Sequence, residues 1–125
     1  MTKAALSPKE LGPPVGPFSL AVQSNGLVFL SGQVGLDPQT KKLVDGGVQP
    51  QTAQAFKNLK LVLESAGKSF ENVVRVGVYL TSISDFVAMN EIYATYFTEP
   101  YPARTTIAVS ALPLSACVEI DMVAE

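Results

Sequence analysis

The chain has 125 residues, of which 47% are hydrophobic and 16% are charged. This length supports one compact core and is too short for two ordinary domains, so residues 1–125 are predicted to form a single domain. Nine basic and eleven acidic residues give a net charge of −2. This balance disfavours a surface built to neutralise the phosphates of a nucleic acid.

The sequence contains no histidine and one cysteine. The absence of histidine excludes Ser-His-Asp and Cys-His catalysis and histidine-ligated zinc. A single cysteine excludes an internal disulfide and cysteine-rich metal clusters. We expect no metal site and no cofactor. Neither a secretory signal nor an apolar run long enough to span a membrane is present, which predicts a soluble, cytoplasmic protein.

The N-terminal part of the chain predicts an irregular arm followed by a β-hairpin. Four of the nine prolines lie within the first 17 residues, and proline lacks a backbone N–H, so residues 1–15 are expected to be irregular. Residues 18–23 and 27–34 are two short strand-like segments. The dipeptide Asn25-Gly26 between them tolerates the positive φ angles of a tight hairpin turn.

The rest of the chain predicts two helices and three strands. Pro50 suits a helix start, and apolar residues recur at spacings of three and four until Gly67 ends the helix. Residues 73–80 form a β-branched run typical of a strand. Residues 86–97 repeat apolar side chains with helical spacing behind a capping pattern at 82–85. Residues 105–110 and 117–124 predict the last two strands.

The predicted order of elements is therefore β-β-α-β-α-β-β. This order indicates an α+β fold in which a mixed sheet has both helices packed on one face. In the last strand, apolar residues alternate with Glu119 and Asp121, so one face is buried and the other carries carboxylates. The open face is left for a ligand, a partner or another subunit.

Arg75 and Arg104 are the two arginines of the sequence. Arg75 lies in an apolar strand and is interpreted as a solvated strand residue. Arg104 follows Pro102 at a strand entrance, where restricted backbone freedom would aim a guanidinium fork at a carboxylate. Glu119 is its natural companion if the last two strands pair as a hairpin. A structural salt bridge and a catalytic pair both remain open at this point.

Two weaker candidates involve small residues. Ser31-Gly32-Gln33 at the end of a strand offers a hydroxyl and backbone donors, and its simpler interpretation is a strand end that needs a small residue. Cys117 is interpreted as a packed residue and not a nucleophile, because no histidine is present to activate it.

Five motifs in the same order resemble one known family. They are Gly16-Pro17-Phe18-Ser19, Leu30-Ser31-Gly32-Gln33-Val34, Met89-Asn90-Glu91-Ile92-Tyr93 with Tyr96-Phe97, Pro102-Ala103-Arg104-Thr105 and Val118-Glu119-Ile120. Together they resemble the YjgF/YER057c/UK114 family, also called the Rid family, and the arginine is similar to that of its RidA branch. The resemblance implies a chorismate-mutase-like fold and homotrimers with ligand clefts between subunits.

RidA proteins are metal-independent enamine/imine deaminases. They hydrolyse 2-aminoacrylate and 2-iminobutanoate to 2-oxo acids and ammonia. By resemblance, Arg104 would grip the carboxylate of the imine and Glu119 would bind or activate the attacking water. Such a reaction depends more on binding the carboxylate of the substrate and positioning a water molecule than on a strong base.

The resemblance also implies four substrate-binding residues. Gly32 and Thr106 would offer backbone contacts, and Ser31 would line the cleft. Phe18 would form a wall of the cleft, from the neighbouring subunit or from the same one. Phe18 stands where many RidA proteins have tyrosine, and Thr106 stands where several have a reactive cysteine. These two departures affect the expected rate and substrate preference more than the fold.

Two other functions are compatible with the same sequence. One is a non-catalytic protein that binds or senses a 2-oxo acid through Arg104. The other is the endoribonuclease or translation-inhibitor role attached to some relatives of the family. RNA cleavage is disfavoured, because a chain with a net charge of −2 and two arginines has few residues to form a positively charged surface that binds RNA.

Overall fold

The computed structural model describes residues 2–125 and contains one six-stranded sheet with two helices. The strands are β1 (Ala4–Leu6), β2 (Ala21–Ser24), β3 (Leu27–Val34), β4 (Val73–Leu80), β5 (Ala103–Ala108) and β6 (Val118–Ala124). The helices are α1 (Val48–Ser65) and α2 (Phe86–Tyr93), and single 3-10 turns cover Lys9–Leu11, Phe70–Asn72, Ile83–Asp85 and Pro113–Ser115. None of the helices formed by residues 2–125 is long and apolar enough to cross a membrane.

Two of the local predictions are confirmed by the backbone angles. Asn25 and Gly26 have φ angles of 53° and 81° and connect β2 to β3 as an antiparallel hairpin. Gly67, with a φ angle of 71°, follows the end of α1, where its N–H and that of Lys68 bond to the carbonyls of Glu64 and Leu63. Both positions need the left-handed backbone region that glycine and asparagine adopt at low cost.

The N-terminal arm contains one element that the sequence analysis missed. Ala4–Leu6 form β1, a short edge strand that pairs antiparallel with β2, so the irregular arm predicted over residues 1–15 is wrong for this segment. The prolines begin only at Pro8, so residues 4–6 keep the backbone donors that an edge strand needs.

The sheet has the strand order β1-β2-β3-β6-β4-β5. β5 lies at one edge and pairs in parallel with β4, whereas β6 lies between β3 and β4 and is antiparallel to both. The prediction that the last two strands pair as a hairpin is therefore wrong. The expected proximity of Arg104 and Glu119 depended on that hairpin. Local turn signals cannot reveal that β4 separates two strands that are adjacent in sequence.

Both helices cover one face of the sheet, as the sequence predicts. The core between them is apolar, and its largest fully buried side chains include Phe56, Leu59, Leu63, Leu80, Met89 and Ile120. Tyr96 stacks on Phe56 with ring centroids 4.5 Å apart, and Phe97 meets the same ring edge-on at 5.7 Å. The aromatic cluster at the end of the second helical segment is thus part of the core.

Helix α2 is shorter than the segment predicted for it. It ends at Tyr93, whereas apolar periodicity predicts a helix through residue 97. The chain continues as a turn, in which Tyr96 and Phe97 still reach the core. The apolar spacing continues past the end of the helix because these side chains are buried, so the spacing alone does not locate the last helical residue.

Candidate active site

Four of the six predicted site residues line one cavity. This cavity, called the Glu119 cavity below, has a volume of about 470 Å³ and is lined by Phe18, Ser31, Gly32 and Glu119. Most of its remaining wall is apolar and comes from the proline-rich arm and the loop after β3, including Leu11, Pro13, Pro14, Leu36 and Pro38. The chain thus builds a mainly apolar pocket with a carboxylate in its wall.

Gly32 leaves open the space that the Glu119 carboxylate occupies. The pairing of β3 with β6 shifts between Leu30 and Gln33, and Gly32 lies in this irregular stretch. A side chain at Gly32 would collide with the carboxylate of Glu119. The Glu119 carboxylate occupies the space that a side chain at position 32 would fill, which gives a physical reason for a small residue in the Ser31-Gly32 motif.

Ser31 and Phe18 form part of the wall of the Glu119 cavity. The Ser31 hydroxyl donates a hydrogen bond to the Ser19 carbonyl oxygen at 2.6 Å. This bond links the segment before β2 to β3. It uses the hydrogen of the hydroxyl that was predicted to be available to a ligand. Phe18, just before that segment, remains about half exposed and presents an aromatic wall without a hydroxyl.

Glu119 is a half-buried carboxyl on the open face of the sheet. In the register of the sheet it lies opposite Val34 of β3 and Tyr79 of β4. Burial raises the pKa of Glu119 above its ordinary value, and the negative charge of Asp121 raises it further. A carboxyl with a raised pKa is a better proton acceptor once it is ionised.

The raised pKa of Glu119 predicts that this residue destabilises the fold at neutral pH. The folded state holds this proton more tightly than the unfolded state does. Stability is therefore lost as the pH rises through the folded-state pKa, and the loss is absent at pH values where both states are protonated. We expect Glu119→Gln to raise Tm by roughly 2–4 °C at pH 7, a small value because the group is partly solvated.

Thermal unfolding of Glu119→Gln and the unsubstituted protein at equal concentration, from pH 3.5 to pH 8, measures this effect. The gain in Tm is expected to grow with pH. A lower Tm for Glu119→Gln at pH 7 would contradict the electrostatic description of Glu119. Exposed Glu64 on α1 provides the matched control, because Glu64→Gln removes the same charge from a solvated position.

Arg104 lies at the other side of the sheet, on β5, among neutral groups. Its Nη1 donates a hydrogen bond to the Asn90 side-chain oxygen at 2.7 Å. The guanidinium carbon lies 4.5 Å from the centre of the Tyr93 ring and 5.6 Å from that of Phe86. These contacts fix the plane of the guanidinium without neutralising its charge, so its other donors are available to an anion.

The three partners of Arg104 occupy positions 86, 90 and 93 on α2, which is one face of a helix at spacings of four and three. The sequence predicts residues 86–97 as an apolar helical repeat, and this pattern does not connect Phe86 and Tyr93 with Arg104. A single asparagine within an otherwise apolar helical stripe is the signal that would have indicated a polar contact there.

Thr106 lies two residues after Arg104 on the same side of β5. Its hydroxyl is buried and has no hydrogen-bond partner, and the same is true of the Tyr93 hydroxyl. Burial raises the pKa of Tyr93, while the charge of Arg104 opposes the rise. Unpartnered buried hydroxyls are costly, so these two groups mark places where a ligand could supply the missing hydrogen bonds.

Arg104 and Glu119 do not meet within one chain. Arg104 is paired with Val76, whose side chain is buried beneath the helices, whereas Glu119 is paired with Tyr79, three residues later on β4. Successive residues of a strand point to opposite faces, so the two charged side chains lie on opposite faces of the sheet. A salt bridge within the chain is therefore wrong for this pair.

The remaining candidates keep their simpler interpretations. Arg75 donates a hydrogen bond from Nη2 to the Thr105 hydroxyl at 2.9 Å, as expected of a residue on the open face. Cys117 is partly buried, and burial raises the pKa of its thiol, which favours the unreactive protonated form. Its backbone N–H donates to the Gln51 side-chain oxygen at 2.9 Å.

Known proteins resemble this chain over nearly its whole length. The family model described as Endoribonuclease L-PSP matches residues 9–125. A RutC family protein of Aquifex aeolicus is 50% identical over 113 residues, which are 89% of this chain and 90% of the relative. The 2-iminobutanoate/2-iminopropanoate deaminase of Mus musculus is 48% identical over 110 residues, covering 88% of this chain and 82% of the relative.

Solved structures of related proteins share the fold of this chain. The crystal structure of RidA from the Antarctic bacterium Psychrobacter sp. PAMC 21119 has a TM-score of 0.90 and 39% sequence identity, and the match covers 97% of this chain and 98% of the other. Apart from the additional edge strand β1, the order of elements and the mixed sheet agree with the chorismate-mutase-like fold implied by the motifs. The chain belongs to the YjgF/YER057c/UK114 (Rid) family, whose model carries the name Endoribonuclease L-PSP.

Proposed function

We propose that the protein is an enamine/imine deaminase that hydrolyses 2-imino acids such as 2-iminobutanoate to 2-oxo acids and ammonia. One observation carries this proposal: the Arg104 guanidinium is held in place entirely by neutral groups. An oriented and uncompensated guanidinium at the sheet edge is suited to bind a small carboxylate. The deaminase name of the Mus musculus relative supports the same substrate class.

In the proposed reaction, Arg104 binds the carboxylate of the 2-imino acid with two parallel hydrogen bonds. Asn90 and the ring of Tyr93 hold the guanidinium, so binding costs little further ordering of this side chain. Thr106 lies beside the bound acid and contributes its backbone N–H, while its unpartnered hydroxyl is available to the ligand.

Glu119 acts on water in this proposal. The carboxylate takes a proton as the water oxygen bonds to the electrophilic carbon of the protonated imine. Glu119 then returns that proton to the nitrogen of the tetrahedral carbinolamine. The C–N bond breaks to release ammonia as the carbinolamine hydroxyl gives its proton to the Glu119 carboxylate and becomes the C=O group of the 2-oxo acid. The route needs a placed water and a modest base, which a partly buried carboxyl provides, and it uses no metal or cofactor.

A complete site requires a second copy of the chain. Arg104 and Glu119 face opposite sides of one sheet, so Arg104 from one subunit would meet the Glu119 cavity of its neighbour. Phe29 and Ile107 are large apolar side chains left exposed on strands β3 and β5, and they are suited to packing against another subunit. The homotrimer and the intersubunit cleft are part of the proposal, as is a location in the cytoplasm.

Phe18 and Gly32 complete the proposed cleft. Phe18 lacks a hydroxyl that would order water, so we propose that it excludes solvent from the imine. Gly32 brings backbone close to Glu119 and leaves no side chain between that carboxylate and the ligand. Ser31 lines the cleft and keeps its hydroxyl on Ser19.

The proposal is tested by adding the purified protein to a threonine dehydratase reaction, which generates the imine. We expect faster release of ammonia and less trapping of the imine by semicarbazide. An unchanged rate at micromolar protein would contradict deaminase activity. Tight binding of 2-oxobutanoate without acceleration would instead support the 2-oxo acid sensor.

A further inference from the structure

Strand β6 carries two carboxylates on the open face, and each of them lies over a glycine of a neighbouring strand. Glu119 lies over Gly32 of β3, and Asp121 lies opposite Gly77 of β4. A side chain at Gly77 would collide with the Asp121 carboxylate and with the Tyr79 hydroxyl. The proposed reaction uses Glu119 but gives no role to Asp121.

Tyr79 holds the second of these carboxylates, that of Asp121. In the strand register Tyr79 lies opposite Glu119, but its ring leans along β4 over Gly77. Its hydroxyl donates a hydrogen bond to Asp121 Oδ2 at 3.0 Å. Tyr79 thereby fixes the Asp121 carboxylate, and the lean carries its ring away from its own cross-strand partner, Glu119.

Asp121 and Glu119 share a second cavity of about 320 Å³, which Gly32 and Tyr79 also line. Among residues 2–125, the charged or titratable groups that face Glu119 come from three directions. Asp121 lies on β6 itself, and Tyr79 lies on β4 with Arg75 further along the same strand. On the other side, Lys41 lines the larger Glu119 cavity, whereas Ser31 and Gln33 of β3 are uncharged.

Within one subunit, Asp121 is therefore the charge held in place in the same cavity as Glu119. Arg75 is engaged with Thr105, and Lys41 is an exposed side chain in a loop. Burial and then Asp121 raise the pKa of Glu119, and neither cation is among the causes of that shift. A like charge in a partly desolvated cavity disfavours ionisation of its neighbour.

We propose that Asp121, held by Tyr79 above Gly77, is a positioning residue that makes Glu119 a stronger base toward the attacking water. Asp121 acts through Glu119 and does not contact the reacting atoms. This inference deepens the proposed deaminase and rests on it, because it assigns the group that tunes the base of that reaction. A base of higher proton affinity accepts the proton of the water more readily once it is ionised.

The direct test is a titration of the Glu119 carboxyl by ¹³C NMR in the full-length protein. The signal is assigned by its loss in Glu119→Gln. In Asp121→Asn the midpoint of Glu119 is expected to shift to lower pH, whereas Asp121→Glu keeps the charge and retains most of the original midpoint. Glu64→Gln, which removes a charge from the exposed face of α1, is the matched control and leaves the midpoint unchanged.

A second variant keeps the inference testable if Asp121→Asn fails to fold. Tyr79→Phe removes only the hydroxyl that holds Asp121, so it is expected to shift the Glu119 midpoint in the same direction by a smaller amount. An unchanged Glu119 midpoint in the folded variants overturns the inference. This titration does not depend on activity, so its failure is distinguishable from the failure of the deaminase proposal.

The kinetic consequence is measured as the pH profile of kcat/KM for the imine. In Asp121→Asn the acidic limb is expected to move to lower pH together with the NMR midpoint, and kcat/KM at pH 7 falls about threefold because the base is weaker. A merely structural role for Asp121 would lower activity without moving the limb. A shifted NMR midpoint with an unmoved acidic limb would therefore overturn the catalytic part of the inference.

Discussion

Replacing Arg104 with alanine is expected to lower kcat/KM for imine hydrolysis about a thousandfold, because two charge-assisted hydrogen bonds to the substrate carboxylate are lost together. Arg104→Lys restores the charge without the planar fork, so it is expected to recover only a small part of the activity. Steady-state kinetics with an enzymatically generated imine measures both variants.

The fold is expected to survive this substitution. Arg104 lies at an edge strand, and its contacts with Tyr93 and Phe86 contribute about 1 kcal/mol as cation–π interactions. Circular dichroism and thermal unfolding check this point. Arg75→Ala is the matched control, since it removes the other arginine from the neighbouring strand while Arg104 keeps its contacts. Equal activity of Arg104→Ala and the unsubstituted protein would exclude Arg104 as the carboxylate anchor.

Mixing two inactive variants is expected to restore activity. If each site takes Arg104 from one subunit and Glu119 from the next, then Arg104→Ala and Glu119→Gln chains assembled together form some intact sites. Random assembly at equal amounts gives about one quarter of the normal sites, because each intact site needs one particular variant at each of two positions. Neither variant alone forms an intact site.

The experiment requires exchange of subunits, so the two variants are unfolded together and refolded as a mixture. Variants refolded separately and combined only for the assay serve as the control and are expected to stay inactive. If the co-refolded mixture is as inactive as the separate variants, the site does not combine these two residues from different subunits. Recovery near one quarter would support the opposite-face geometry of Arg104 and Glu119 as the reason for assembly.

The parts of the fold that depend on neighbouring residues were predictable from the sequence. Asn25-Gly26 identifies its hairpin because few other residues adopt two successive positive φ angles. Gly67 marks the end of α1 for a similar reason. The short strand at Ala4–Leu6 gives no such signal, because three residues are too few for a recognisable alternation and their pairing depends on a distant strand.

The arrangement around the site was predictable only in part. Arg104 stands out because arginine is scarce in this sequence, and the family motifs indicate Phe18, Ser31, Gly32 and Glu119. Nothing local shows that β5 pairs in parallel with β4, which is what brings Arg104 to the Asn90 face of α2. The tuning of Glu119 by Asp121 depends likewise on two glycines in other strands, and such contacts are set by the tertiary fold.

The position of β6 has a consequence for how the protein folds during its synthesis on the ribosome. This strand lies in the middle of the sheet, yet it follows all the other elements in the chain, and Val28 near the start of β3 must wait for Ala124 to pair with it. Until β6 emerges, β3 and β4 each present an open edge beside an uncovered apolar face. Such long-range closure is slow, so we expect the chain to be most exposed to misassembly between the synthesis of β4 and that of β6.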